Sequence, residues 1–298
     1  MAYTGVMDIT YQLWDVFTTE ALSGNPLAVV PDAEGLTDEQ MQRIAREFNL
    51  SETSFVLPSE KADVRARYFT PKREVPTAGH PTIGTFHALH RMGLLDGEGC
   101  SLELEHGVTA TRCDVDGDTL ERVWMAQGVP EMLASFPHAS VAADIVGLEE
   151  DDIADLPAQV VSIGNPFLIV PVVSREALGK VSVSLKMLRD FSLDEDILGV
   201  FVFTEEAQGA DVQARMFSEA AGVSEDPATG SAHGPLGWYL AEHGHLNFNG
   251  DKASFKSHQG VEMGRPSELF VEVSETDEGY SVEVGGSAVL VGEGTLFL

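Results

Sequence analysis

The sequence is poor in three things. Its 298 residues include two cysteines, Cys100 and Cys113, too few for a disulfide framework and in keeping with a reducing cytoplasm. No run of about 18 apolar residues occurs, so no membrane-spanning helix is expected. The first ten residues carry Asp8 and neither Lys nor Arg, unlike a secretory leader. Above all, positive charge is scarce. Lys and Arg total 18 against 48 acids, a formal net charge of −30. A field of that sign repels nucleic acid and anionic lipid, so neither is expected as a partner. The acids are spread along the whole chain. This predicts adaptation to a high-salt cytoplasm, where screening removes self-repulsion; the alternative is an ordinary acidic enzyme.

Metal and nucleotide signatures are also missing. His80, His87 and His90 fall on one expected helix, but there is no His-Glu-x-x-His or Cys-x-x-Cys pattern, so no metal is expected. The glycines of Gly285–Gly294 lack the strand-to-helix context and following acid of a dinucleotide fingerprint.

What is present is a soluble composition, 43% hydrophobic, in a chain long enough for about two domains. Short apolar and alternating runs predict strands at Tyr11–Thr18, Leu27–Val30, Ser54–Leu57, Val64–Phe69, Val123–Ala126, Val160–Ile163, Phe167–Val173, Gly199–Phe203, Val212–Phe217, Leu269–Val273 and Tyr280–Val284. Ala288–Val291 is a further short apolar run. Three helices are predicted. Thr37–Phe48 opens with Thr37 and Gln40 in capping-box spacing, Pro81–Met92 has Pro in its first turn, and Ser231–Glu242 tolerates Pro235.

An internal repeat organises these pieces. Gly24-Asn25-Pro26-Leu27-Ala28-Val29-Val30 matches Gly164-Asn165-Pro166-Phe167-Leu168-Ile169-Val170. Val64–Phe69 matches Val212–Phe217, and Pro76-Thr77-Ala78-Gly79-His80 matches Pro227-Ala228-Thr229-Gly230-Ser231. Three blocks in the same order, with an offset drifting from 140 to 151, predict two similar domains with a ligand cleft between them.

The repeat also sets Gly79-His80 and Gly230-Ser231 at equivalent helix starts. Unpaired N–H groups and the positive dipole end there suit a carboxylate or an enolate; simple capping by Ser231 and Pro81 is the alternative. Glu52 lies between a helix and an apolar strand, and its counterpart falls near Leu198, so only one half supplies an acid. A lone carboxylate with its pKa raised by desolvation would suit proton abstraction and return. A surface or capping Glu is the alternative. Asp226 could bond a substrate amine or hydroxyl, or orient His80, or simply be a turn residue before Pro227.

Read together, several stretches resemble the phenazine-biosynthesis-like (PhzF) isomerase family, which has the diaminopimelate epimerase fold. They are Asp15–Thr18 with Gly24–Val30, Leu50-Ser51-Glu52-Thr53, Pro76–Thr82, Gly164-Asn165-Pro166, Glu225–Ala232 and Gly285–Val291. The resemblance implies an α+β protein of two pseudo-symmetric domains, each a strand-rich barrel around a central helix. The domains would be residues 9–128, with the strand at 284–298 crossing back, and residues 129–283. It implies Glu52 as the catalytic general acid/base, with His80, Asp226 and Ser231 lining the cleft. Gly79 and Gly230 would hold the substrate through their amides, joined by Asn25 and Asn165. It implies a cofactor-free cytoplasmic homodimer acting on a small carboxylate. Epimerases of this fold place a cysteine at each helix start; here His80 and Ser231 stand there. A one-carboxylate isomerisation is therefore expected, ahead of an amino-acid epimerase or racemase and of a non-catalytic metabolite-binding protein.

Overall fold

Thr37 Oγ1 accepts a hydrogen bond from Gln40 N at 3.2 Å, and Gln40 Oε1 accepts one from Thr37 N at 2.9 Å. This closed capping box starts helix α1, Asp38–Phe48, which ends at Asn49 in the left-handed conformation. In a computed structural model the described residues are 7–95, 100–105, 107–184, 197–218 and 223–298.

In chain order the elements before residue 130 are β1 (Asp8–Val16), β2 (Asn25–Val30), α1, β3 (Thr53–Leu57), β4 (Val64–Phe69) and β5 (Glu74–Val75). Next come α2 (Gly79–Arg91), β6 (Cys100–Leu104), β7 (Gly107–Asp116) and β8 (Thr119–Ala126). Then follow β9 (Glu131–Phe136), α3 (Ala139–Val146), β10 (Ala158–Ser162), β11 (Pro166–Pro171), α4 (Arg175–Lys180), β12 (Gly199–Thr204), β13 (Val212–Ser218) and β14 (Val223–Asp226). The last elements are α5 (Gly230–Glu242), β15 (Lys252–Gln259), β16 (Ser267–Thr276), β17 (Gly279–Gly286) and β18 (Ala288–Phe297). The result is a sheet-rich α+β protein with few helices. The chain divides into two compact units, Met1–Met125 with Gly286–Leu298, and Ala126–Gly285.

The two units repeat one topology. In the first, β2 runs antiparallel to β1 and parallel to β3, and β4 runs antiparallel to β3 and β5 and parallel to β6. In the second, β11 runs antiparallel to β10 and parallel to β12, and β13 runs antiparallel to β12 and β14 and parallel to β15. Each unit has one more antiparallel strand on its first: β18 on β1, and β9 on β10.

Register refines the equivalence. Thr53 pairs with Ala28 and Phe69, whereas Val200 pairs with Leu168 and Phe217. Both partners therefore equate Thr53 with Val200 and Glu52 with Gly199, one residue on from the expected Leu198. A Cβ at Gly199 would stand 2.5 Å from the Phe217 carbonyl oxygen. The backbone itself keeps an acid out of that position.

Helix α2 is buried continuously from His80 to Leu89, and α5 is buried along nearly its whole length. Neither has a polar face, as befits a helix enclosed by sheet. Helix α1, by contrast, buries one stripe, Met41, Ile44 and Ala45, against Val30, Phe55 and Phe69. The helix starts correct the sequence expectation. Ala78 and Thr229 are the N-caps, so Pro81 is the third helical residue and Ser231 the second. Gly79 and Gly230 accept helical backbone and extend each helix, while Pro81 stays in the first turn, where its missing N–H has no intrahelical acceptor. The run at Ala288–Val291 is likewise only the start of β18, which continues to Phe297.

Candidate active site

Glu52 sits between the end of α1 and the first residue of β3, and β3 is fixed in parallel register on β2. His80 is the second residue of α2. These two constraints bring Glu52 Oε2 to 3.6 Å from His80 Nε2, with 21% and 7% of the side chains exposed. The pair is at ion-pair distance, yet it is not an ion pair. Burial pushes the His80 imidazole down to about 3, so the ring is neutral at pH 7. Desolvation is the cause of that shift. The Nε2 atom is buried without a hydrogen-bond partner. A buried polar atom with no partner is costly unless something else comes to it.

The start of α2 adds donors. Ala78 makes no side-chain cap bond, and the first turn holds no acid. The N–H groups around Gly79 therefore lack the usual side-chain acceptor, next to a neutral imidazole and a carboxyl. A group able to take a proton, a group able to hydrogen-bond without charge and a cluster of amides stand together. That set can move a proton on a bound carboxylic acid.

The second unit holds its own uncapped helix start. Thr229 is the N-cap but makes no side-chain cap bond. Its hydroxyl donates instead to Asp226 Oδ2 at 2.6 Å. Gln259 then braces the turn: its Nε2 donates to the Asp226 carbonyl at 2.6 Å and to Thr229 Oγ1 at 3.0 Å, and its Oε1 accepts from Thr229 N at 3.1 Å. Ser267 Oγ donates to the Pro227 carbonyl at 2.9 Å. Asp226 is thus buried as a turn anchor, and Gly230 is buried and Ser231 half-buried beside it.

Asn25 is fully buried at the first position of β2. Gly24 before it has φ +65°, and a Cβ there would run into the Val16 carbonyl oxygen. Asn165 is half-buried in the bend before β11; Gly164, at φ +101°, has open space around it. His233 bridges the Thr229 carbonyl (2.9 Å) and Ser257 Oγ (2.8 Å) inside its unit, and His245 meets Glu205 at 2.6 Å. Neither histidine joins a metal-like cluster, and none exists among the described residues. Among the described residues no helix is long and apolar enough to cross a membrane.

One feature was hidden inside the matched blocks. Arg67 grips Glu74 with a two-pronged fork, Nε to Oε1 at 2.7 Å and Nη2 to Oε2 at 2.6 Å. Arg215 grips Glu225 the same way, at 2.8 and 2.9 Å. Both guanidiniums lie over a phenylalanine, Phe69 and Phe217. Each fork ties the short strand before a helix start to its neighbour. The signal was the arginine two residues before a phenylalanine in both copies of the repeat.

Against known proteins, the family described as phenazine biosynthesis-like protein matches residues 14–294. The trans-2,3-dihydro-3-hydroxyanthranilate isomerase of Pseudomonas chlororaphis is 37% identical over 292 residues, covering 97% of this chain and 99% of that protein. Among solved structures, the Bacillus anthracis phenazine biosynthesis protein of the PhzF family superposes with a TM-score of 0.89 at 32% identity, over 98% of this chain and 100% of its own. A probable proline racemase from Agrobacterium radiobacter K84 superposes with a TM-score of 0.64 at 13% identity, over 97% of this chain and 92% of its own. That last likeness concerns the fold alone.

Proposed function

The chain belongs to the phenazine biosynthesis-like (PhzF) family and is an isomerase; from that premise we propose that it shifts a proton within a small carboxylate substrate. Glu52 acts as the single acid and base, and no cofactor takes part. The observation that carries this reading is the contact between Glu52 and a neutral, buried His80 at an uncapped helix start. Glu52 as carboxylate takes a proton from carbon. The first-turn amides at Gly79 hold the substrate carboxylate and the charge that develops as the C–H bond breaks. His80 presents Nε2 without adding a charge of its own. Protonated Glu52 then returns the proton to a different carbon. General acid–base catalysis supplies about 10²- to 10⁴-fold, so orientation and the amides must supply most of the remainder.

Asp226, Gly230 and Ser231 are proposed as the second unit's contribution to the site, with Asn25 and Asn165 as further substrate-binding residues. The positions at which a two-thiol epimerase needs cysteines hold His80 and Ser231. Cys113 lies on β7, where burial pushes its thiol up and away from use as a base. The same proposal includes a homodimer in a salt-rich cytoplasm, which light scattering at low and molar KCl would address.

The test is a metabolite screen in heavy water read by mass spectrometry, beginning with trans-2,3-dihydro-3-hydroxyanthranilate, the compound in the name of the Pseudomonas relative. The expected result is an isomeric product of one carboxylate, with deuterium at carbon to the extent that the proton on Glu52 exchanges with solvent. Tight binding with neither an isomeric product nor deuterium uptake would make the protein a metabolite-binding one. A product of unchanged connectivity, inverted at one carbon in a chiral assay, would make it an epimerase or racemase.

A further inference from the structure

Four buried hydroxyls fill the space between the strand that follows Glu52 and the helix that carries His80. Ser54, Tyr68, Thr82 and Thr85 are each 1% exposed or less. Ser54 Oγ lies 2.7 Å from Thr85 Oγ1, and Tyr68 Oη lies 3.0 Å from Thr82 Oγ1. Thr82 Oγ1 donates to the Ala78 carbonyl at 2.8 Å.

Counting protons fixes one of these directions. A carbonyl only accepts, so the Thr82 hydrogen is spent on Ala78, and Tyr68 must then donate to Thr82. That relay ends on the N-cap carbonyl of α2, two residues before His80. The Ser54–Thr85 pair ties the position two residues past Glu52 to the same helix.

The second unit provides the comparison. Register equates Ser54 with Phe201 and Tyr68 with Met216; the matched helix starts equate Thr82 with His233 and Thr85 with Leu236. Only the last link survives there, as His233 to the Thr229 carbonyl. Phe201, Met216 and Leu236 fill the other places with apolar core. The topology therefore stands without the hydroxyls, and burying four of them costs more than burying apolar groups unless every one is bonded. They occur in the unit that holds Glu52; the other unit has Gly199 at the equivalent position.

We propose that the buried hydroxyls of Ser54, Thr85, Tyr68 and Thr82, which tie β3 and β4 to α2, are a positioning device that holds Glu52 against His80. It rests on the reading of Glu52 and His80 as the reacting pair. Tyr68 and its neighbours are positioning residues, and none of them handles the migrating proton.

The test uses the full chain carrying Tyr68→Phe, which removes one hydroxyl at nearly constant volume, or Thr85→Val, which keeps the shape. Phe201→Leu in the second unit is the control for melting loss alone. Two-bond ¹H–¹⁵N spectra of the His80 ring need no substrate. The ring signals should move in Tyr68→Phe and Thr85→Val and stay put in the control. On the compound that wild type deuterates, kcat should fall by about tenfold to a hundredfold with KM nearly unchanged, as misplacement on the ångström scale produces. Ring signals superimposable on wild type, or an unchanged kcat, would overturn the inference. Glu52→Gln separates the two levels. If it is inactive while Tyr68→Phe is normal, this inference alone falls. If it is fully active, the reading of the site falls with it.

Discussion

Arg215→Met should be among the most destabilising substitutions in the second unit. The guanidinium makes a fork with Glu225 at 2.8 and 2.9 Å and donates to the Leu178 and Val181 carbonyls at 3.0 and 3.1 Å. Only 10% of its side chain and 18% of that of Glu225 are exposed. Removing it strands a mostly buried carboxylate, at about 3–5 kcal/mol. It also leaves two carbonyls without their donor, each about 1 kcal/mol. These losses overlap, so the sum is about 4–6 kcal/mol. At about 2–4 °C per kcal/mol for a unit of this size, the melting point should drop by roughly 10–20 °C. Arg67→Met provides the scale. The acids facing Arg67 are 31% (Glu74) and 81% (Asp38) exposed, and such pairs contribute about 1–2 kcal/mol together. Urea unfolding followed by circular dichroism would compare the two. An Arg215→Met midpoint equal to or above that of Arg67→Met would refute the reasoning.

Acid should weaken the fold through its histidines. Burial lowers His80 to about 3 and His87 and His233 to about 4, against about 6.5 in the unfolded chain. The unfolded state takes up protons first, so this stability is complete above pH 6.5. It drains away as pH falls toward the folded values. Urea midpoints in about 1 M KCl, which screens the carboxylates, should fall from about pH 6.5 to 4; a flat profile would contradict the burial of three neutral rings. With a net charge of −30, the melting point should rise between low and molar KCl, and an unchanged value would remove the high-salt reading. Gly199→Ala forces a Cβ to 2.5 Å from the Phe217 carbonyl and should cost roughly 1–3 kcal/mol of stability. A neutral result in thermal melts would show that β12 and β13 can part there.

The repeat carried most of the readable fold, because each matched block marks a constrained piece of backbone. Gly24 cannot hold a Cβ beside Val16, and Gly79 and Gly230 open the two enclosed helices. Strands with two partly solvated faces were not legible. Gly107–Asp116 and Glu131–Phe136 have few buried residues, so no apolar alternation marks them. Lys252–Gln259 does alternate in burial, but Ser257 and Gln259 point inward, and polar letters conceal that pattern. At the site, Glu52 and His80 were legible as types at special places. Their contact was not, since it depends on β3 register and on α2 starting two residues before Pro81. Gln259 was missed because its role is to bond the backbone of a turn some thirty residues away. The arginine forks lay within the matched blocks but need a partner, Glu74 or Glu225, that only the fold brings into line.

The central claim is that the carboxyl of residue 52 alone ferries the proton. Its most direct test is deuterium uptake by Glu52→Gln, a near-isosteric change that cannot carry a proton, measured on the compound that wild type converts. The account predicts a folded variant with the wild-type melting profile and a rate lower by at least about 10²-fold, the share expected of general acid–base catalysis. Uptake at the wild-type rate would contradict it.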